Sequence, residues 1–110
     1  PATTSATAIS EIIRGEIGFD GLLMSDDVSM KALSGDFSSR TRAILAAGCD
    51  VVLHCNGVMD EMREVAEATD VLSGKAQERA GRALSGLETV DDSIEADIRN
   101  EFASLMEAVA

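Results

Sequence analysis

Gly18-Phe-Asp20-Gly-Leu-Leu-Met-Ser-Asp26 and, thirty positions later, Gly48-Cys-Asp50-Val-Val-Leu-His-Cys-Asn56 are the two stretches that decide the fold. Each reads as glycine, aspartate, a short buried apolar run and a polar tip. The runs are too short for a helix and long enough for a buried strand. A helix precedes each. Ile9, Ile12 and Ile13 fall at helical spacing in Ser5–Glu16, with Gly18 placed to end that helix. Ser38 or Ser39 can cap a second helix through Ala47, stopped by Gly48. A period of thirty residues is the size of one helix-strand unit, so the two strands should be parallel with a right-handed crossover. Asp26 and Asn56 then emerge at the same carboxyl edge of adjacent strands, the edge at which α/β proteins bind ligands.

Outward from this pair, Asp26 to Ser38 reads as a polar loop, and Asn56-Gly57 leads into a helix from about Met59 to Ala68. After Thr69 the character changes. Ser73–Gly86 is rich in small residues and reads as helical, and Asp91-Asp92-Ser93 can cap a last helix. Its apolar positions Ile94, Ile98, Phe102, Leu105 and Val109 form one stripe, expected to dock on the same domain. The expected division is residues 1–69 as helix-strand units and 70–110 as a helical tail.

The chain has 110 residues, 45% of them hydrophobic and 26% charged, which describes one globular unit and excludes a second domain. No apolar run approaches the roughly 18 residues that cross a bilayer. Nine Lys plus Arg against twenty Asp plus Glu give a net charge of −11. Such a surface repels nucleic acid and anionic lipid, and three aromatics offer no base-stacking platform. Cys49 and Cys55 would lie roughly 20 Å apart along an extended strand, too far for a disulfide. Two reduced thiols in a cytoplasmic setting are therefore expected. The chain begins at Pro1 in sequence of mid-domain character, so it carries no information on export.

Ser25-Asp26-Asp27 is the sharpest candidate for chemistry. Two carboxylates stand at the end of a buried strand, and alternation allows only one to face the mouth while the other caps the turn Val28–Leu33. Asp20 and Asp50, at the opposite strand ends, read as turn residues bonding their own backbone. Asp36 reads as a solvated loop acid before a helix. His54 and Cys55 are adjacent on a strand and cannot converge on one ion, so His54 reads as structural and no metal site is expected. No glycine-rich phosphate loop is present. The acidic helix Asp60–Glu67 reads as a solvated face with Arg63 among the acids.

Gly15-Glu-Ile-Gly-Phe-Asp-Gly-Leu-Leu-Met-Ser-Asp-Asp-Val-Ser-Met30 resembles the nucleophile segment of glycoside hydrolase family 3, in its exo-β-N-acetylglucosaminidase branch. Pro1-Ala-Thr-Thr-Ser5 and Ala46–Asn56 resemble the stretch before that segment and the final barrel strand. The resemblance implies an α/β fold, the C-terminal portion of a (β/α)8 TIM barrel comprising strands seven and eight with their helices. It implies that Asp26 is the nucleophile toward a terminal β-linked N-acetylglucosamine, with Asp27 in support; Asn56, at the matching tip of the thirty-residue repeat, is expected to line the sugar site. Family members take their acid/base histidine from a loop of an earlier strand, so the role does not pass to His54. Their Lys-His-x-Pro-Gly-His-Gly segment is also missing here. The implied substrates are oligosaccharides or muropeptides containing N-acetylglucosamine, handled without cofactor in the cytoplasm during peptidoglycan recycling. Because such a barrel takes about 250 residues, this chain alone should be inert and should need the remainder of the barrel. The competing reading is a non-catalytic acidic module that binds a cation through Asp26, Asp27 and Asp36, or a protein through its last helix.

Overall fold

The computed structural model describes residues 1–87 and 94–108. A short 3-10 turn over Ala2–Thr4 leads into a π-helix, Ala8–Glu16, and then strand β1, Met24–Asp27. Helix α1, Phe37–Ala47, connects to strand β2, Val51–Leu53, and helices α2, Met59–Glu67, α3, Gly74–Ser85, and α4, Glu95–Glu107, follow. The two strands pair in parallel, as the thirty-residue repeat predicts, with Met24 opposite Val51 and Asp27 opposite Leu53. A single α1 crossover joins them, so their carboxyl ends share one edge.

The first helix is wound more widely than expected. Ile17 N–H donates to the Ile12 carbonyl at 2.8 Å, five residues back, and Phe19 N–H reaches the Ile13 carbonyl at 3.0 Å. Apolar residues at 9, 12 and 13 fit either winding over so short a span, so periodicity does not separate the two. Gly18 ends the segment at φ 71°.

Helix α1 starts on Asp36 rather than on Ser38 or Ser39. The Asp36 carboxylate accepts the Ser39 N–H at 2.7 Å, so Ser39 supplies the unpaired donor and Asp36 the cap. At the other end Gly48 has φ 110°, and a Cβ there would lie 3.0 Å from Ile9 Cγ2. Both the left-handed turn and the close approach of the π-helix require glycine at that position.

The core comprises Ile9, Val28, Leu33, Ile44, Ala47, Cys49 and Val65, with Ile13, Leu23, Phe37 and Val52 packed against it. Val28 and Leu33 correct the sequence reading, since both lie in the stretch taken as a polar loop. They anchor the segment after β1 on α1. Arg40 ties it further, donating to the Gly35 carbonyl at 2.9 Å and the Val28 carbonyl at 3.1 Å. The segment that follows the candidate nucleophile is therefore fixed at both ends of its length.

The α4 stripe stays exposed, with Phe102 63% and Leu105 60% accessible, so it does not pack on this chain as expected. An isolated pattern of apolar residues carries no information about which surface covers it. The cap Asp91-Asp92-Ser93 and Val109 lie outside the described residues. Among the described residues no helix is long and apolar enough to cross a membrane. Cys49 is buried, Cys55 exposed, and both are free.

Candidate active site

Between its two paired positions β1 advances three residues, Met24 to Asp27, while β2 advances two, Val51 to Leu53. The extra residue is a bulge at Ser25-Asp26, a device that turns a side chain out of its regular alternation. Ser25 closes the gap in the ladder. Its buried hydroxyl accepts the Leu53 N–H at 3.0 Å and donates to the Asp26 carbonyl at 2.7 Å. Beyond the bulge the ladder resumes, with Val28 N–H on the Leu53 carbonyl at 2.8 Å.

The bulge separates the two carboxylates. Asp26 is exposed, with one oxygen accepting the Asp27 N–H at 2.8 Å, and among the described residues no cation pairs with it. Asp27 is half-buried and occupied. It accepts the Ser29 N–H at 3.0 Å, the Ser29 hydroxyl, and the Cys55 N–H at 3.3 Å from the neighbouring strand end. The Ser29 hydroxyl first, and the Ser29 N–H after it, hold the Asp27 carboxyl below the usual carboxylate range. Asp27 thus stitches the tips of β1 and β2 together, and Asp26 is the acid presented outward.

At the tip of β2 a second group forms around a residue the sequence reading assigned to solvent. Glu61, on the first turn of α2, faces His54 Nε2 at 2.9 Å and accepts from Asn56 Nδ2 at 2.6 Å. The imidazole contact chiefly, then the Asn56 amide, keep the Glu61 carboxyl low. The His54 side chain is only 7% exposed. It stands edge-on to Phe37 with ring centroids 5.8 Å apart, in keeping with a structural histidine. Asn56 also accepts the Val58 N–H at 3.2 Å, so both ends of its amide are held. No spacing in the sequence announces Glu61, because its partners lie on a strand end rather than on its own helix. Arg63, by contrast, sits among the acids as expected, 2.9 Å from Asp60 on the surface.

At the opposite edge Asp20 and Asp50 depart from the expected turn role. The Asp50 carboxylate accepts from Arg14 at 2.8 Å, from the Leu23 N–H at 2.8 Å and from Arg79 at 2.9 Å, with its side chain 6% exposed. Asp20 accepts from Arg79 at 2.7 Å and from Arg82 at 3.0 Å. Burial alone would raise the Asp50 carboxyl, but the Leu23 N–H and the two arginines outweigh it and hold the group low. Arg79 bridges from α3, far along the chain, so no local pattern could reveal it. This network locks the π-helix, both strand starts and α3 together, and it offers no uncommitted carboxylate.

Asp36 is committed to the α1 cap and Asp27 to the strand tips. Among the described residues no three His, Cys, Asp or Glu side chains gather to hold a metal ion. The geometry that remains is an exposed carboxylate, without an ion-pair partner among the described residues, held on a bulge at the carboxyl edge of a parallel strand pair.

Comparison with known proteins gives that carboxylate a context. The chain is similar to proteins named beta-hexosaminidase: 39% identical over 108 residues to that of Bordetella avium (strain 197N), covering 94% of the chain and 30% of the relative. The Tolumonas auensis protein of that name is 38% identical over 91 residues, covering 81% of the chain and 25% of the relative. One from Pseudomonas aeruginosa (strain UCBPP-PA14) is 52% identical over 58 residues, covering 51% of the chain and 18% of the relative. The chain thus spans less than a third of the length of these curated relatives. Residues 1–85 match the glycosyl hydrolase family 3 N terminal domain, and this chain, with its outward-facing Asp26 at a strand end, belongs to glycosyl hydrolase family 3.

Proposed function

We propose that this chain carries the nucleophile of a retaining β-N-acetylhexosaminidase and that Asp26 is that nucleophile. The observation that supports it most is the contrast between Asp26, exposed and without an ion-pair partner among the described residues, and the committed Asp27 beside it. An ionised carboxylate attacks the anomeric carbon of a terminal β-linked N-acetylglucosamine, the aglycone leaves, and water releases the sugar from the glycosyl ester with net retention. Asp27 is a supporting residue that fixes the strand tips, and Asn56 lines the sugar site from the neighbouring tip. No histidine of this chain suits the acid/base role, since His54 is enclosed by Phe37 and Glu61.

The parent fold is a (β/α)8 barrel of which β1 and β2 are the seventh and eighth strands, in residues 1–69, with residues 70–110 as a helical tail against it. The family's N-terminal domain is of the TIM-barrel type. Exposed Met24, at 51% accessible on an unpaired strand edge, and the uncovered α4 stripe both support surfaces that further barrel strands would bury. The 110 residues alone are then inert, because the acid/base group lies elsewhere in the protein. The substrates are N-acetylglucosamine-containing oligosaccharides or muropeptides. Two free thiols favour action in the cytoplasm.

The test is hydrolysis of an aryl N-acetyl-β-glucosaminide by the full-length protein and by its Asp26→Asn variant. Steady turnover by the wild type and its loss in the variant are expected. A variant rate within about tenfold of wild type overturns the assignment.

A further inference from the structure

We propose that Ser25 is a positioning residue for the Asp26 carboxylate, acting through the bulge rather than through substrate. The proposal rests on the reading of Asp26 as nucleophile. The Ser25 hydroxyl makes two bonds of opposite sense, accepting the Leu53 N–H from β2 at 3.0 Å and donating to the Asp26 carbonyl at 2.7 Å. A hydroxyl can do both at once; a methyl group can do neither. Ser25 is 6% exposed, so water cannot readily replace it.

The residue added by the bulge is bonded across the sheet instead of hanging free. The peptide that links Asp26 to Asp27 is held by its carbonyl, on Ser25, and its N–H is aimed at Asp26 Oδ1 at 2.8 Å. Asp27 is in turn clamped by Ser29 and by the Cys55 N–H at 3.3 Å, so the peptide is fixed from both sides. With one carboxylate oxygen committed to that N–H, the other is left to attack. Removing the Ser25 hydroxyl leaves the Leu53 N–H unpaired in a half-buried ladder and releases the peptide that aims Asp26. A misplacement of about 1 Å in a nucleophile costs about a hundredfold in rate.

The experiment compares wild type, Ser25→Ala and Asp26→Asn in the full-length protein. It uses an aryl N-acetyl-β-glucosaminide, with kcat and KM expressed per folded molecule and folding read from the thermal transition. The expected result is a Ser25→Ala protein that folds, with kcat lower by about a hundredfold and KM within about threefold of wild type. A purely structural serine would lower the thermal midpoint and leave kcat per folded molecule within about threefold, and that result overturns the proposal. Should Ser25→Ala not fold, Ser25→Cys keeps the size with only a weak S–H donor and is judged by the same two outcomes. Loss of activity in Asp26→Asn together with full kcat in the Ser25 variant removes the positioning role alone. Near-normal activity in Asp26→Asn removes the nucleophile reading first.

Discussion

The two ends of the strand pair carry equal numbers of strand-flanking aspartates and treat them in opposite ways. At the amino ends Asp20 and Asp50 are bound by Arg14, Arg79 and Arg82, so every acid has a cation. At the carboxyl ends Asp27 is held by N–H and O–H donors, Glu61 by an imidazole and an amide, and Asp26, among the described residues, by the next peptide N–H alone. An arginine pair neutralises a carboxylate and spends its lone pairs; a single peptide N–H leaves an anionic oxygen available. On the proposed function the difference separates a structural edge from a reactive one, the division into a stabilising amino face and a catalytic carboxyl face that barrel enzymes follow.

The sharpest way to break this comparison is to exchange charge for amide at each end. Asp26→Asn in the full-length protein should lower the hydrolysis rate by about 10⁴-fold or more, as loss of a covalent nucleophile does elsewhere, with the thermal transition unchanged. Asp50→Ala should behave in the reverse sense. It leaves Arg14 and Arg79 facing a buried void, and a denaturant titration should register a loss of about 3 kcal/mol while kcat per folded molecule stays at the wild-type level.

Acid should act on the committed carboxylates of both edges. The carboxyls of Asp50, Asp27 and Glu61 are all held below their ordinary values in the folded chain. A depressed group contributes stability that is fully present above its unfolded value of about 4 and is lost as the pH falls through the lower folded value. Stability should therefore be flat from neutrality to about pH 5 and fall below it. In Asp50→Ala the fall should be shallower, since one of the groups that takes up a proton on unfolding is gone; an unchanged slope would exclude Asp50 as a contributor.

A smaller effect is expected at Asn56. Replacing it by alanine removes the amide held between Glu61 and the Val58 N–H, and with it the proposed sugar contact. KM for the aryl glycoside should rise about fivefold with kcat little changed. An unaltered KM would take Asn56 out of the sugar site. Smallest of all is Arg63→Ala, whose partner Asp60 is 90% exposed. No measurable change in thermal midpoint or rate is expected there, because solvent already screens the pair.

Much of this arrangement was legible in the residues. The thirty-residue offset announced two parallel strands with Asp26 and Asn56 at one edge, and Gly48 announced the end of α1 through its left-handed turn. The string around Asp26 also carried the family. What strand alternation could not supply was the choice between neighbours, which the family resemblance alone made. Alternation alone left Asp26 and Asp27 interchangeable, and it was the bulge, with Ser25 bonded to Leu53 on another strand, that committed one and presented the other. Val28 and Leu33 looked like loop residues because their burial depends on α1 and Arg40 rather than on any period of their own.

The sequence by itself determined the quantities that repeat along a chain: element order, strand direction, helix stops and the position of a carboxylate at a strand end. Each arises from backbone geometry acting over a few residues. Only the tertiary structure decided which acids are neutralised and which is not. The partners of Asp50 come from Arg14 and Arg79, 36 and 29 positions away, and an ion pair depends on distance in space, to which order along the chain is blind.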